Sequence, residues 1–143
     1  MELQAFFMAD HAESVNGKLY VVGGCWNVIF AQTFPVMHPH MSLAASILVP
    51  WTATNDRHTI EVTLQDADGK DLTPQKMSGE FEVGRAPGMR AGDDSVVVLV
   101  FNVANTQFER AGWYSFVMKI DGGDVGRARF KLQPIQAQAT TRG

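Results

Sequence analysis

The hydrophobic residues of this chain recur with a period of two over long stretches. In HTIEVTLQD, Ile60, Val62 and Leu64 alternate with polar residues. Successive side chains of a β-strand point to opposite faces, so this alternation predicts a strand with one buried and one solvated face. The same period at 114–120 and 128–132 predicts two more strands. The residues that we expect to share one core are Ile60, Val62, Leu64, Val98, Phe116, Ile120, Phe130 and Leu132.

Other apolar segments predict further strands. They are Leu3–Ala9, LYVVGGCWNVIF with a bulge or bend at Gly23-Gly24, SLAASILV up to Pro50, GEFEVG, and SVVVLVFNV. The last of these is continuously apolar, which is typical of a central strand covered on both faces. Asn16-Gly17, Asp66–Asp71 and Asp121–Asp124 carry the residue types of tight hairpin turns, and we expect the two acidic turns to lie at opposite ends of the fold.

The best candidate for a helix is ADHAESV, and Asn16-Gly17 would end it after about two turns. The sequence therefore predicts an all-β fold: a two-sheet antiparallel β-sandwich, immunoglobulin-like, of about eight strands. A small barrel remains the alternative. The segment AGWYSF resembles the tyrosine corner of immunoglobulin-like sandwiches, in which the hydroxyl of Tyr114 would bond to the preceding connection and Phe116 would lie in the core.

Length and composition favour one globular domain. With 143 residues the chain is long enough for a core without a metal or a disulfide, and we expect a single domain over 1–133 and a flexible polar tail over 134–143. The net charge of −3 disfavours nucleic acid or an anionic membrane as a partner. A single cysteine, Cys25, favours a reducing compartment, so we expect a cytoplasmic protein in which Cys25 is a buried apolar residue.

The chain carries no recognisable catalytic signature. G-x-S-x-G and P-loop patterns are missing from it, so we expect no catalytic residue and no cofactor. His38-Pro39-His40 is the only close histidine pair, and it could bind a metal with His11 or His58 as a remote third ligand. Pro39 favours a solvated loop there instead. We expect Glu80 and Glu82 to form ion pairs across strands with Arg127 or Arg129.

Longer segments resemble a family of uncharacterised, largely actinobacterial cytoplasmic domains. The similar segments are MADHAESVNGKLYVVGGCWNVIF, HTIEVTLQDADGKDL, GEFEVGR and GWYSFVMKIDGG, and the shared pattern is ADxAE…GKLxVxGGxW…DxDG…GxYxFxxxxDG. The resemblance covers nearly the whole chain. It implies an all-β domain, and it carries no activity and no catalytic residue.

Two hypotheses about function follow. The first is a non-enzymatic domain that binds a protein partner or forms a homo-oligomer through loops at one end. An up-and-down strand order would bring three connections to that end, which are 50–58, 84–94 and 121–124. The second hypothesis is a small-ligand or metal-dependent protein that uses His38 and His40.

The binding residues that we predict for the first hypothesis are Trp51, Arg85 and Arg90. The loop over 84–94 is longer than a hairpin needs, and surplus loop length on a rigid sheet is commonly where binding occurs. Tryptophan and arginine are also enriched at binding hot spots. The alternative is a purely structural role, in which Trp51 packs under the loop and the arginines pair with Asp93, Asp94 and Asp121.

Overall fold

A computed structural model describes residues 1–72 and 77–135 as two β-sheets. In chain order the strands are β1 (Glu2–Val15), β2 (Lys18–Trp26), β3 (Val28–Ala31), β4 (Val36–Val49), β5 (Arg57–Asp66), β6 (Met77–Glu82), β7 (Ser95–Phe108), β8 (Gly112–Ile120) and β9 (Gly123–Pro134). A short 3₁₀ turn, Trp51–Ala53, lies between β4 and β5. The predicted all-β fold is confirmed. Most of the predicted tail, residues 136–143, lies outside the described residues.

The two sheets have the strand orders β2-β1-β4-β7 and β3-β9-β8-β5-β6. The prediction of an antiparallel sandwich is wrong in one place, because β3 pairs with β9 in parallel. The apolar run over 19–30 is divided at Asn27, so that β2 stays in the first sheet and β3 joins the second. This division is why the described part of the chain has nine strands where about eight were predicted.

The core lies between the sheets and is built from the predicted alternation. Val62, Leu64, Phe116 and Phe130 are at most 1% exposed, and Ile60, Ile120 and Leu132 are buried with them. The inward residues of β4 complete this core, and each of them is fully buried: Met41, Leu43, Ala45, Ile47 and Val49.

The position predicted for β7 is wrong. This strand lies at the edge of its sheet and pairs with β4 on one side. Val97, Leu99 and Phe101 pack toward the core, so Val98 points to the opposite face and is not a core residue. A continuously apolar strand looks the same in sequence whether a second strand flanks it or not.

The amino-terminal hairpin corrects two further predictions. ADHAESV is part of β1 and not a helix, because it pairs with β2 across the Asn16-Gly17 turn. The bulge predicted near Gly23-Gly24 is present, with Cys25 as the extra residue at φ 67°. Cys25 is exposed there, so the expectation of a buried cysteine is wrong.

The two acidic turns lie at opposite ends of the second sheet, as predicted. Asp121 and Gly122 have φ values of 51° and 83° and join β8 to β9, as the Asp-Gly type of hairpin turn requires. Asp66 lies opposite Tyr114 at the other end of β8, and its carboxylate accepts bonds from the backbone N–H groups of Asp68 and Lys70. The Asp66 carboxylate therefore stabilises a turn.

The predicted pairing of Glu80 and Glu82 with Arg127 or Arg129 is wrong. Strand β6 lies at the sheet edge beyond β5, whereas β9 lies on the far side of β8. Glu80 instead lies 3.7 Å from Arg57 on the neighbouring strand, and both side chains are well exposed. This pair contributes little to stability.

The tyrosine corner has the predicted geometry. The hydroxyl of Tyr114 donates a 2.6 Å hydrogen bond to the backbone carbonyl of Arg110, and Phe116 is fully buried two residues later. Burial raises the pKa of the Tyr114 hydroxyl, which keeps it protonated as a donor. Among residues 1–72 and 77–135, no helix is long and apolar enough to cross a membrane.

Candidate functional site

The three connections predicted to meet at one end do lie together. The carbonyl of Val83, just before the 84–94 loop, accepts a bond from the N–H of Asn55. Asp121, in the β8–β9 turn, exchanges backbone and side-chain hydrogen bonds with Thr59 at the start of β5. We call the surface formed by 50–58, 84–94 and 121–124 the loop end.

Trp51 and Arg85 form a stacked pair at the loop end. The central carbon of the Arg85 guanidinium lies 3.5 Å from the centre of the Trp51 ring. Trp51 is partly buried and Arg85 is exposed. A cation over the face of an indole is attracted by the negative potential of the ring, so the stack holds the arginine in one place.

Hydrogen bonds fix the same arginine from its other side. Arg85 Nε donates to the hydroxyl of Thr54 at 2.7 Å, and Nη2 donates to the carbonyl of Trp51 at 3.0 Å. The Thr54 hydroxyl in turn donates to the Trp51 carbonyl at 2.6 Å. The short turn that carries Trp51 is thus bonded directly to the loop that carries Arg85.

The charge of Arg85 is not neutralised within the described part of the chain. No carboxylate there lies within ion-pair distance of it. An arginine has five N–H donors, and the two bonds to protein leave three of them for another molecule. The loop end therefore presents a fixed cation with free donors beside an aromatic ring.

Arg90 occupies a different part of the loop. Its backbone N–H donates to Asp93 at 2.8 Å, while its side chain is exposed and makes no ion pair with a described residue. A purely structural role predicted that both arginines pair with Asp93, Asp94 and Asp121. Among the described residues, neither arginine side chain forms such an ion pair. The structure brings Trp51 and Arg85 together, and within the described part of the chain no hydrogen bond or ion pair joins Arg90 to either of them.

A buried histidine holds the loop end together. His58 is 7% exposed, and its Nε2 donates to the carbonyl of Ala53 at 2.7 Å. Its Nδ1 lies 2.7 Å from a carboxylate oxygen of Asp121, while the other oxygen accepts the N–H of Thr59. Since Ala53 ends the turn that begins with Trp51, this contact ties that turn to the β8–β9 hairpin.

These contacts set the protonation of the pair. Burial by itself lowers the pKa of His58, but its bonds to Ala53 and Asp121 and the charges of Asp121 and Asp56 outweigh burial and raise the pKa above the usual 6.5. The bond from Thr59 and the bond from His58 lower the pKa of Asp121 below 3.8. At mildly acidic pH, below 6.5, the contact is therefore an imidazolium–carboxylate pair.

The pair predicts how stability depends on pH. A histidine with a raised pKa stabilises the fold below its unfolded pKa near 6.5, and this contribution disappears as pH rises through the folded value. Asp121 acts in the opposite sense, and its contribution is lost as pH falls below 3.8. The groups that face His58 are Asp121, Asp56 and the ring of Phe81, which lies 5.4 Å away.

We expect the melting temperature to fall between pH 6.5 and pH 9 more steeply in the wild type than in a His58→Gln variant. Subtracting the two curves removes the contribution of the other histidines. Parallel curves of melting temperature against pH over this range would show that folding does not raise the pKa of His58.

The His38–His40 segment lies elsewhere, and the prediction that it forms a loop is wrong. Both residues belong to β4, where His38 pairs with Thr106 and His40 with Ala104. Pro39 lies beyond Ser42, where the pairing of β4 with β1 ends, and opposite Asn105, which has φ 51°. Proline is tolerated at such one-sided or irregular positions of a sheet.

The structure does not assemble a metal site around these histidines. The rings of His11 and His40 lie 5.8 Å apart, and burial lowers the pKa of His38. His58 lies beyond Val49, the far end of β4. The strand from His40 to Val49 alone is about 30 Å long at about 3.4 Å per residue. Among the described residues, no group of three histidine, cysteine or acidic side chains could hold a metal ion.

Sequence analysis missed the supporting residues of the loop end. Thr54 was not singled out, and His58 was considered only as a metal ligand. His58 and Asp121 are 63 residues apart, so their contact depends on the pairing of β5 with β8. No local pattern in the sequence reports that pairing.

Comparison with known families gives a clear result for the chain as a whole. Residues 4–133 match the profile of a family described as Family of unknown function (DUF6941). The chain belongs to this family. The resemblance inferred from sequence is confirmed to that extent. Membership of DUF6941 assigns no activity, and a comparison with curated proteins gave no match.

Two solved structures are distantly similar to this DUF6941 chain. One is an alkylpurine DNA glycosylase from Pseudomonas fluorescens bound to DNA containing an abasic site analog, with 14% identity and a TM-score of 0.39, and the match covers 75% of this chain and 27% of that one. The other is a β-glucuronidase from glycoside hydrolase family 2, with 16% identity, a TM-score of 0.36, and coverage of 72% and 11%. The chain thus spans a small part of both proteins, and likenesses at this level do not indicate what it binds.

Proposed function

We propose that this chain is a non-enzymatic binding domain that contacts a protein partner, or a second copy of itself, through the loop end. The observation that carries the proposal is the Arg85 guanidinium, fixed on the Trp51 ring and by two hydrogen bonds. Ordering a flexible side chain costs free energy on binding, and a side chain that is already ordered avoids much of that cost. Tryptophan and arginine are the residue types that most often dominate binding energy.

The chemistry of the loop end suggests what a partner presents to it. Three free N–H donors beside an indole suit a carboxylate, such as an aspartate or glutamate side chain of the partner, together with an apolar group that packs against Trp51. Arg90 adds a second, exposed cation on the same loop. The net charge of −3 disfavours nucleic acid and anionic membranes as partners.

We also propose the type of sandwich, the extent of the domain and the cellular setting of the protein. The tyrosine corner supports an immunoglobulin-like sandwich, and the length supports a single domain over 1–133. A single cysteine supports a cytoplasmic setting, and a bacterial, largely actinobacterial origin rests on the sequence pattern alone.

The test compares two arginine–tryptophan pairs of the same chain. Immobilised wild-type protein captures partners from extracts of the source cells, and a Trp51→Ala/Arg85→Ala variant should lose at least about nine-tenths of a specifically captured protein. The matched control is Trp113→Ala/Arg129→Ala, because Arg129 lies 4.6 Å from the centre of the Trp113 ring on the outer face of the second sheet.

We expect the control to capture the partner as the wild type does, and we expect both double variants to melt within a few degrees of it. Equal capture by wild type and the Trp51/Arg85 variant would refute binding through the loop end. Equal loss in both double variants would show that the capture is nonspecific.

A further inference from the structure

Over residues 95–104, the edge strand β7 lacks the charges, prolines and bulges that normally prevent strand edges from pairing. Its sequence, SVVVLVFNVANTQF, contains no charged residue, no proline and no glycine. Ser95 to Ala104 pair with Val49 to His40 without a break, so this part of the edge is regular. A long, regular, uncharged edge is a template for another strand.

The other three edges of the two sheets are protected in familiar ways. Strand β2 begins with Lys18 and is bent by its bulge at Cys25. Strand β3 has four residues, and β6 has six and carries Glu80 and Glu82. Charges, bulges and short lengths are the usual protections of sheet edges. The contrast singles out β7 among the described strands.

The core is also incompletely covered beside β7. Its inward side chains, Val97, Leu99, Phe101 and Val103, are all partly exposed, whereas the inward side chains of neighbouring β4 are fully buried. On the opposite face Val96 is 52% exposed and Val98 and Val100 are partly exposed. Apolar groups thus remain in contact with water on both faces of one edge.

We propose that β7 pairs antiparallel with β7 of a second copy of this chain, so that the two four-stranded sheets become one continuous sheet. A strand that fits this edge needs apolar side chains on both faces and no charge. Strand β7 has this pattern itself, and a two-fold axis perpendicular to the sheet brings the same strand of a second copy against it.

The symmetry of this pairing determines which residues meet. A two-fold axis perpendicular to the sheet keeps each face on its own side, so Val96, Val98 and Val100 meet their counterparts on one face. Val97, Leu99 and Phe101 meet theirs beside the core. Such cross-strand apolar pairs stabilise a sheet, and two neutral strands meet without repulsion.

Sedimentation equilibrium of the full chain tests the proposal. We expect the wild type to form a dimer of about twice the 15.7 kDa of one chain. Val98→Lys and Val98→Glu should each weaken the dimer at least about tenfold, since like charges facing each other oppose strand pairing. An equimolar mixture of the two variants should form dimers again.

Two further variants make the result specific. Val96 is already half exposed, so Val96→Lys should weaken the dimer without unfolding the chain. This variant therefore tests strand pairing even if Val98→Lys lowers the stability of the fold. Val22→Lys is the matched control, because Val22 is 65% exposed on the opposite edge strand, and we expect it to remain dimeric.

The proposal is independent of the loop end, so the Trp51→Ala/Arg85→Ala variant should also remain dimeric. A monomeric wild type would overturn pairing through β7. So would a folded Val96→Lys variant that stays fully dimeric, or a mixture of the two Val98 variants that stays monomeric.

Discussion

Truncating Phe130 to alanine should lower the free energy of unfolding by about 3–5 kcal/mol. Phe130 is fully buried at the centre of an aromatic cluster. The centre of its ring lies 5.8 Å from that of Phe108, 5.8 Å from that of Tyr114 and 5.3 Å from that of Phe116. Removing its ring loses the transfer free energy of the side chain and leaves a cavity that these rigid neighbours cannot fill. The expected loss is comparable to the whole stability of a marginally stable domain.

Urea denaturation measures this loss, and the chain offers a matched control. Phe30 is the same residue type on β3 and is 63% exposed, so Phe30→Ala should change the free energy of unfolding by less than about 1 kcal/mol. Equal losses at both positions would contradict the assignment of Phe130 to the core.

Replacing Tyr114 with phenylalanine should cost about 1–3 kcal/mol, although it removes a single oxygen. The ring stays in place, but the carbonyl of Arg110 loses the donor that it bonds at 2.6 Å. An acceptor left without a partner at a partly buried position costs more than the net value of an average hydrogen bond. The loss should therefore come from the connection before β8.

The same denaturation measurement applies, with Tyr20→Phe as the control. Tyr20 is 54% exposed, so loss of its hydroxyl should leave stability within about 0.5 kcal/mol of the wild type. A Tyr114→Phe variant as stable as the wild type would show that the tyrosine corner does not contribute to stability.

Local chemistry made much of the fold predictable. Asn16-Gly17 and Asp121-Gly122 have positive φ values at both turn positions, as their residue types suggest. Alternation placed Val62 and Phe116 in the core correctly. Tyr114 was predictable because the glycine, the tyrosine and a core residue stand at fixed spacing.

The failed predictions depend on pairing between distant parts of the chain. Val98 was assigned to the core because a continuous apolar run does not show which of its faces is covered, or whether a strand lies on both sides. The exposure of Cys25 follows from a bulge whose exact position is set by pairing with β1. Pro39 fits within β4 at a place where the pairing with β1 has already ended at Ser42 and the opposite residue of β7, Asn105, has φ 51°.

The candidate site was likewise predictable where it depends on local sequence and not where it depends on contacts between distant strands. Loop length and residue type pointed to Trp51 and Arg85, and the structure adds the contact between them. The support that His58 and Asp121 give to the loop end was not predictable, because it joins the start of β5 to the end of β8. Side-chain networks between distant strands leave no periodic signal.

Photo-crosslinking in the source cells tests the central claim, binding through the loop end, most directly. A photoreactive phenylalanine analogue in place of Arg90 lies on the exposed part of the 84–94 loop, and the same analogue in place of Phe30 on β3 serves as the reference. We expect a discrete protein adduct from position 90, none of the same mass from position 30, and loss of the adduct when Arg85→Gln is added. The same adduct from both positions, or an adduct from position 90 that persists with Arg85→Gln, would contradict binding through the loop end.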